Sequence, residues 1–199
     1  MENYFVYDED ALIHLRKKDK KLGCLIDRVG IIKRAVNPCL FAALVESVVG
    51  QQISVKAAAT VCGRLKDLSG FDAKKLYDLP IEEIKSCGMS KIKAGYIKNI
   101  AVACVEKTVN FENLPLKTDE EVIKELTTIK GVGVWTAEML LIFSLNRLNV
   151  VSFGDLAIRR GMSELYGIKT LTREKFDRYA KRYAPYGSVA SLYLWELSH

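Results

Sequence analysis

Histidine is almost missing from this 199-residue chain, with only His14 and His199 present. A catalytic or metal site built on imidazole therefore has little to draw on. The five cysteines (Cys24, Cys39, Cys62, Cys87, Cys104) are odd in number and never form a C-x-x-C pair. That spacing argues against a disulfide framework, a zinc knuckle or a cysteine-ligated iron–sulfur cluster. They read as reduced, mostly buried thiols of a cytoplasmic protein. Long apolar runs are also lacking: Met139 to Leu145 is far too short to cross a bilayer. The first ten residues carry Glu2, Asp8, Glu9 and Asp10 and no basic residue, the reverse of a secretory signal. No membrane partner is expected. Strand signals are nearly absent, and there is no low-complexity tract and no obvious repeat.

What the chain does have is a core, a concentrated charge and many helix signals. Apolar residues make up 49% of it, enough for one sizeable domain or two small lobes. The net charge is +6, and its placement matters more than its size. Between Leu156 and Pro185 stand Arg159, Arg160, Lys169, Arg173, Lys175, Arg178, Lys181 and Arg182 against Glu164, Glu174 and Asp177, so this stretch carries +5 of the total. Such a cluster is either a solvated helix face or the footprint of a polyanionic partner.

Helical periodicity recurs throughout. Asn37-Pro38 opens a helix from Cys39 to Gly50, Ser54 caps one to about Leu65, and Pro80 starts Ile81 to Ser86. Ser90 opens a long helix to about Lys107, and Thr118 with Glu121 forms a capping box for one ending near Thr127. Others run from Trp135 to Asn146, from Gly154-Asp155 to Tyr166, from Thr172 to Tyr183, and from Ser188 onward. About ten short helices with brief connections predict an all-α fold.

The most informative stretch runs from Leu126 to Leu141. Its Gly131-Val132-Gly133 makes a tight hairpin between two helices. Glycine allows a positive-φ turn and leaves no Cβ between the backbone and an approaching phosphate. The next helix N-terminus adds partial positive charge. A bare G-x-G is more often only a helix exit, but here it is flanked by Ile129, Val132, Trp135, Thr136 and Ala137. Downstream, Asp155 sits where it could cap a helix and pair with Arg159 four residues on. Equally, it could be a carboxylate held for chemistry at a helix N-terminus, which favours an anion.

The hairpin together with Phe153-Gly154-Asp155-Leu156-Ala157-Ile158-Arg159-Arg160 resembles the helix-hairpin-helix (HhH-GPD) DNA glycosylase superfamily, and within it the 3-methyladenine DNA glycosylase II type. Two further blocks match, Leu44 to Ala58 around Gly50-Gln51-Gln52-Ile53-Ser54, and Gly88 to Ile97. The likeness spans roughly Leu15 to Trp195.

The resemblance implies two helical lobes around a DNA-binding cleft, 37–147 with the hairpin and 1–36 with 148–199 carrying Asp155. Asp155 becomes the catalytic carboxylate, stabilising positive charge on the sugar and orienting the attacking water. Trp135, Trp195 and Met139 become walls of the base pocket, where an aromatic face attracts a cationic alkylated purine by roughly 0.5–2 kcal/mol. Gln52 falls where the family wedges into the stack, or hydrogen-bonds the orphaned base, when a nucleotide flips out. Lys130, Gly131, Gly133, Val134 and Thr136 form the DNA-binding hairpin.

The same likeness implies that the carbonyls of Thr127, Ile129 and Gly131 could hold a structural Na+ or K+ beside the DNA. Lys130 stands where such hairpins often have proline. Bifunctional members carry a lysine two residues after the second hairpin glycine, and this chain has Trp135, implying a monofunctional enzyme. No cysteine cluster follows Asp155, so no iron–sulfur cluster and no required cofactor is expected. The partner is double-stranded DNA with a damaged base, and the protein is expected to act as a monomer. Oxidised or mismatched bases as substrates, and a non-catalytic DNA-binding module, remain open alternatives.

Overall fold

The computed structural model describes residues 3–198 and divides into two compact units. One is the continuous segment Asn37–Leu145; the other is assembled from the chain before it, up to Val36, and after it, from Asn146. The described residues form twelve α-helices, a short 3-10 turn and one two-stranded sheet, and none of the helices is long and apolar enough to cross a membrane.

The continuous unit holds α3 (Leu40–Gly50), α4 (Val55–Ser69), α5 (Ala73–Asp78), α6 (Ile81–Ser86), α7 (Lys91–Val105), α8 (Asp119–Leu126) and α9 (Val134–Phe143). α3 is apolar on nearly every side, and Leu44, Val45, Val48 and Val49 are fully buried. A helix of that kind belongs at the centre, and α3 packs on both α7 and α9. Polar caps fix where the helices begin. Ser54 accepts from the Ala57 amide at 3.3 Å. Thr118 and Glu121 exchange both bonds of a capping box, at 3.3 and 2.8 Å. The end of α5 is closed from another helix: Lys98 on α7 donates its ammonium to the carbonyls of Leu76, Tyr77 and Leu79.

In the other unit, β1 (Asn3–Tyr4) pairs antiparallel with β2 (Ala35–Val36), Asn3 opposite Val36. Its helices are α1 (Glu9–Lys18), α2 (Lys20–Val29), α10 (Leu156–Tyr166), α11 (Arg173–Tyr183) and α12 (Gly187–Glu196). Eight consecutive residues of α12, Gly187 to Leu194, are buried, so α12 is the hub against which α10, α11, α1 and α2 pack. The acidic N-terminal residues have a local purpose: Asp8 caps α1, and Glu9 and Asp10 occupy its first turn.

Several expectations need correction. Helices α1, α2 and α5 and the small sheet were not anticipated. α9 ends at Phe143, short of Asn146. The lobe expected to extend to residue 147 ends at Leu145, because Asn146 is bound elsewhere. Its side chain accepts from the Val6 amide at 2.7 Å and donates to the Val6 carbonyl at 2.9 Å. Ser188 then donates to the Arg147 carbonyl at 2.6 Å. The cysteines are free but not mostly buried: Cys87 is buried, Cys62 and Cys104 are half-buried, and Cys24 and Cys39 are exposed.

Candidate active site and nucleic-acid interface

In the discontinuous unit, Asp155 stands at the N-cap of α10 and is only 7% exposed. Its Oδ1 accepts the Ile158 amide at 2.8 Å and the Trp195 indole Nε1–H at 3.2 Å. The cap and the indole together fix the carboxylate's rotamer. Arg159, offered by its spacing as an ion-pair partner, does not pair with it. Its guanidinium lies 5.3 Å from the centre of the Phe153 ring, with Nε buried and unbonded. Arg173 approaches the same ring at 5.0 Å, and Phe176 meets it edge-on at 5.1 Å.

Two further features hold this carboxylate, and sequence reasoning gave neither a role. The approach to Asp155 is sewn to α12: the Val150 amide donates to Ser188 Oγ at 2.9 Å and Ser191 Oγ donates to the Val150 carbonyl at 3.2 Å. Buried serines in an otherwise apolar helix were the signal that could have found them, since buried hydroxyls need partners. The second feature is Gly161. A Cβ there would lie 2.0 Å from the Leu194 carbonyl oxygen, so α10 and α12 touch backbone to backbone one residue before Trp195.

The basic cluster is less free than its count suggested. The Arg173 Nε–H is shared between the two carboxylate oxygens of Asp177 at 2.8 and 2.9 Å, and Arg182 reaches buried Asp19 at 3.5 Å. Asp19 also accepts the Tyr166 hydroxyl at 2.8 Å. Arg160, Lys169, Lys175, Arg178 and Lys181 stand exposed.

In the continuous unit, the hairpin joins α8 to α9. Ile129 and Val132, each 5% exposed, anchor it, and the Val132 amide donates to the Ile129 carbonyl at 3.0 Å. The two glycines have different reasons. Gly131 has φ +106, and a Cβ there would strike the Tyr96 ring at 2.2 Å. Gly133 has an ordinary φ of −95, and a Cβ there would meet nothing of the protein. What glycine leaves at 133 is open surface. Gly133 gives α9 no side-chain cap, and Val134 beside it is 53% exposed, so that helix start offers backbone N–H groups outward. Lys130 is exposed, and its carbonyl accepts from Asn99 at 3.0 Å.

Thr136 differs from its hairpin neighbours. It is 2% exposed and its hydroxyl accepts from Gln51 Nε2 at 3.3 Å, so only its backbone can serve a ligand. Trp135 is half-buried one turn before Met139, which is buried at 7%. Gln52 is exposed on the α3–α4 turn with φ +57, a conformation that a residue with a Cβ rarely adopts. As for a cation, the carbonyls of Thr127 and Gly131 accept no hydrogen bond among the described residues, and Ile129's accepts one. Unspent carbonyl lone pairs at alternate positions suit a hard monovalent ion.

The family model of the HhH-GPD superfamily, base excision DNA repair proteins, matches residues 45–185. The chain is 35% identical to DNA-3-methyladenine glycosylase 1 of Schizosaccharomyces pombe, over 94% of this chain and 86% of that protein. Among solved structures, the S. pombe 3-methyladenine DNA glycosylase in complex with abasic DNA superposes with a TM-score of 0.84 at 33% identity, covering 94% of this chain and 95% of that one. A Bacillus halodurans DNA-3-methyladenine glycosidase superposes with a TM-score of 0.85 at 36% identity, covering 98% and 92%.

Proposed function

Because the chain belongs to the HhH-GPD superfamily of base excision DNA repair proteins, we propose that it is a monofunctional DNA glycosylase removing alkylated purines, of the 3-methyladenine kind, from double-stranded DNA. The observation that carries this is Asp155, a buried carboxylate whose Oδ1 is held by the Ile158 amide and the Trp195 indole.

An alkylated purine carries positive charge on its ring and leaves as a neutral base. The C1′–N bond breaks with its electron pair going to the base, and positive charge develops on the deoxyribose. Asp155 stabilises that charge, and a water attacks C1′, its proton passing by way of the carboxylate to solvent. The products are the free base and an intact abasic site. The flipped base stacks on Trp135, whose ring face suits a cation, while Gln52 enters the vacated space. The hairpin grips phosphate through the amides at the start of α9. Thr127, Ile129 and Gly131 would hold a monovalent cation there, which supplies positive charge beside the phosphate.

The test is Asp155→Asn. Base release from an alkylated duplex should fall by about a thousandfold or more, while affinity for an abasic-site duplex stays within about twofold, because phosphate contacts hold the DNA. Undiminished base release in this variant would refute the assignment.

A further inference from the structure

The turn that carries Gln52 is held from beneath by one lysine. α3 has no basic residue in its last turn, and its end is loosely closed: the Gln51 amide meets the Val48 carbonyl at 3.3 Å and the Ile53 amide meets Gly50's at 3.5 Å. The missing donor comes from the first turn of α7, where the Lys93 ammonium donates to the Val49 carbonyl at 2.9 Å and to the Gln51 carbonyl. Partial burial pushes that ammonium's pKa down. A hollow of about 200 Å3 lies alongside, lined by Val49, Gln52, Ile53, Met89 and Lys93. Outward of this support stand Gln52, Ile53 at 41% exposure and Val55 at 89%.

The same edge of α7 supports the hairpin. Three residues beyond Lys93, Tyr96 lies against Gly131; three beyond that, Asn99 donates to the Lys130 carbonyl. Residues three apart share one helix edge. A single rigid edge therefore sets both the phosphate-gripping hairpin and the Gln52 turn, and Gln51 bonded to Thr136 ties the two together. Lys98 provides the internal comparison. It makes the same kind of ammonium-to-carbonyl cap at the end of α5, where no DNA-facing residue has been assigned.

We propose that Lys93 is a positioning residue for base flipping, its ammonium holding the α3–α4 turn so that Gln52 stands at a fixed height relative to the hairpin. This rests on the reading of Gln52 as the residue that fills the vacated stack. It assigns Lys93 no contact with the base or the sugar.

The experiment compares Lys93→Met, Lys93→Gln, Lys93→Arg, Lys98→Met and Gln52→Ala in the full chain. Flipping is followed by 2-aminopurine fluorescence beside the lesion, alongside single-turnover base release, affinity for an undamaged duplex and thermal melting. Lys93→Met should slow flipping and base release by about tenfold or more. Undamaged-duplex affinity should stay within about twofold, since the hairpin phosphate contacts remain. Lys93→Arg should restore much of the rate. If Lys93→Met does not fold, Lys93→Gln, which keeps one donor, should show the same loss in smaller measure. Lys98→Met should melt lower yet flip at the normal rate. Gln52→Ala combined with Lys93→Met should be no slower than Gln52→Ala alone, because both changes remove one function.

Slow flipping by Gln52→Ala with normal flipping by both Lys93→Met and Lys93→Gln would overturn the role of Lys93 alone. Normal flipping by Gln52→Ala would remove the premise and the proposal together. Equal slowing by Lys98→Met would reduce Lys93 to a general stabiliser and overturn the proposal as well.

Discussion

Gly161→Ala should damage catalysis from a position that touches no substrate. The added methyl would stand 2.0 Å from the Leu194 carbonyl oxygen and 2.8 Å from its carbon. Both atoms are backbone within a buried helix, so no side-chain rotation relieves the clash. α10 and α12 must separate by about 1 Å to restore ordinary contact, an overpacking cost of about 1–3 kcal/mol. For a chain of this size that lowers the melting temperature by roughly 2–4 °C per kcal/mol. The displacement reaches the active site directly. Trp195 follows Leu194 on α12, and its indole is 3.2 Å from an Asp155 oxygen at the start of α10. Lengthened by about 1 Å, that contact is no longer a hydrogen bond. A misplacement of this size costs about a hundredfold in rate. The assay is single-turnover release of 3-methyladenine from an alkylated duplex, with melting and abasic-duplex affinity measured on the same samples. Trp195→Phe, which keeps a ring and removes the N–H, should reproduce part of the rate loss without the clash. Wild-type base release by a Gly161→Ala protein that melts lower would separate packing from carboxylate placement and refute the reasoning.

Gly131→Ala should lower stability and weaken binding to every duplex, because it meets both a positive φ and the Tyr96 ring. Gly133→Ala should melt normally and lose affinity only through the methyl facing the phosphate; matching melting losses in the two variants would refute the division between them. Borohydride added during turnover should trap no protein–DNA adduct, since Trp135, and no lysine, stands two residues after the second hairpin glycine, where the family resemblance implies a lysine in bifunctional members; an adduct formed in step with base release would overturn the proposed monofunctional chemistry. Thiol titration at pH 8 should show two fast sites, exposed Cys24 and Cys39. Burial raises the Cys62 thiol to about 11 and those of Cys87 and Cys104 in the same direction, keeping them protonated and slow; a third fast thiol would contradict that.

The parts legible in the sequence were those set by local rules. The capping box at Thr118, the Ser54 and Ser90 caps and the hairpin all depend on residues a few positions apart, and each stands where expected. Helices α1 and α2 escaped because the break between them is a single residue. Asp19 ends one helix and caps the next, in a lysine-rich stretch that favours helix on both sides. α9 reads too long because nothing local reveals that Asn146 is engaged by Val6, 140 residues away. The same limit hides the support of the active site. Trp195 reaching Asp155, Ser188 and Ser191 holding Val150, and Gly161 against Leu194 are pairings some 30 to 40 residues apart in sequence. Such pairings leave no periodic trace.

Asp155 shows why a structural and a chemical reading of one residue need not compete. The spacing allowed a helix cap paired with Arg159, or a carboxylate held for chemistry. The cap is present, with the Ile158 amide at 2.8 Å, and the pairing is not, because the Arg159 guanidinium is drawn over Phe153. Caps at Ser54 and Thr172 lie at the surface, and the buried cap Asp19 has the Arg182 guanidinium at 3.5 Å. At Asp155 the capping group is buried, and a second donor arrives from a helix far along the chain. Burying a carboxylate is unfavourable, and an asparagine could accept the same amide bond without that cost. The cap therefore accounts for where Asp155 points, and the proposed chemistry, which calls for negative charge beside the sugar, accounts for an acid at that place.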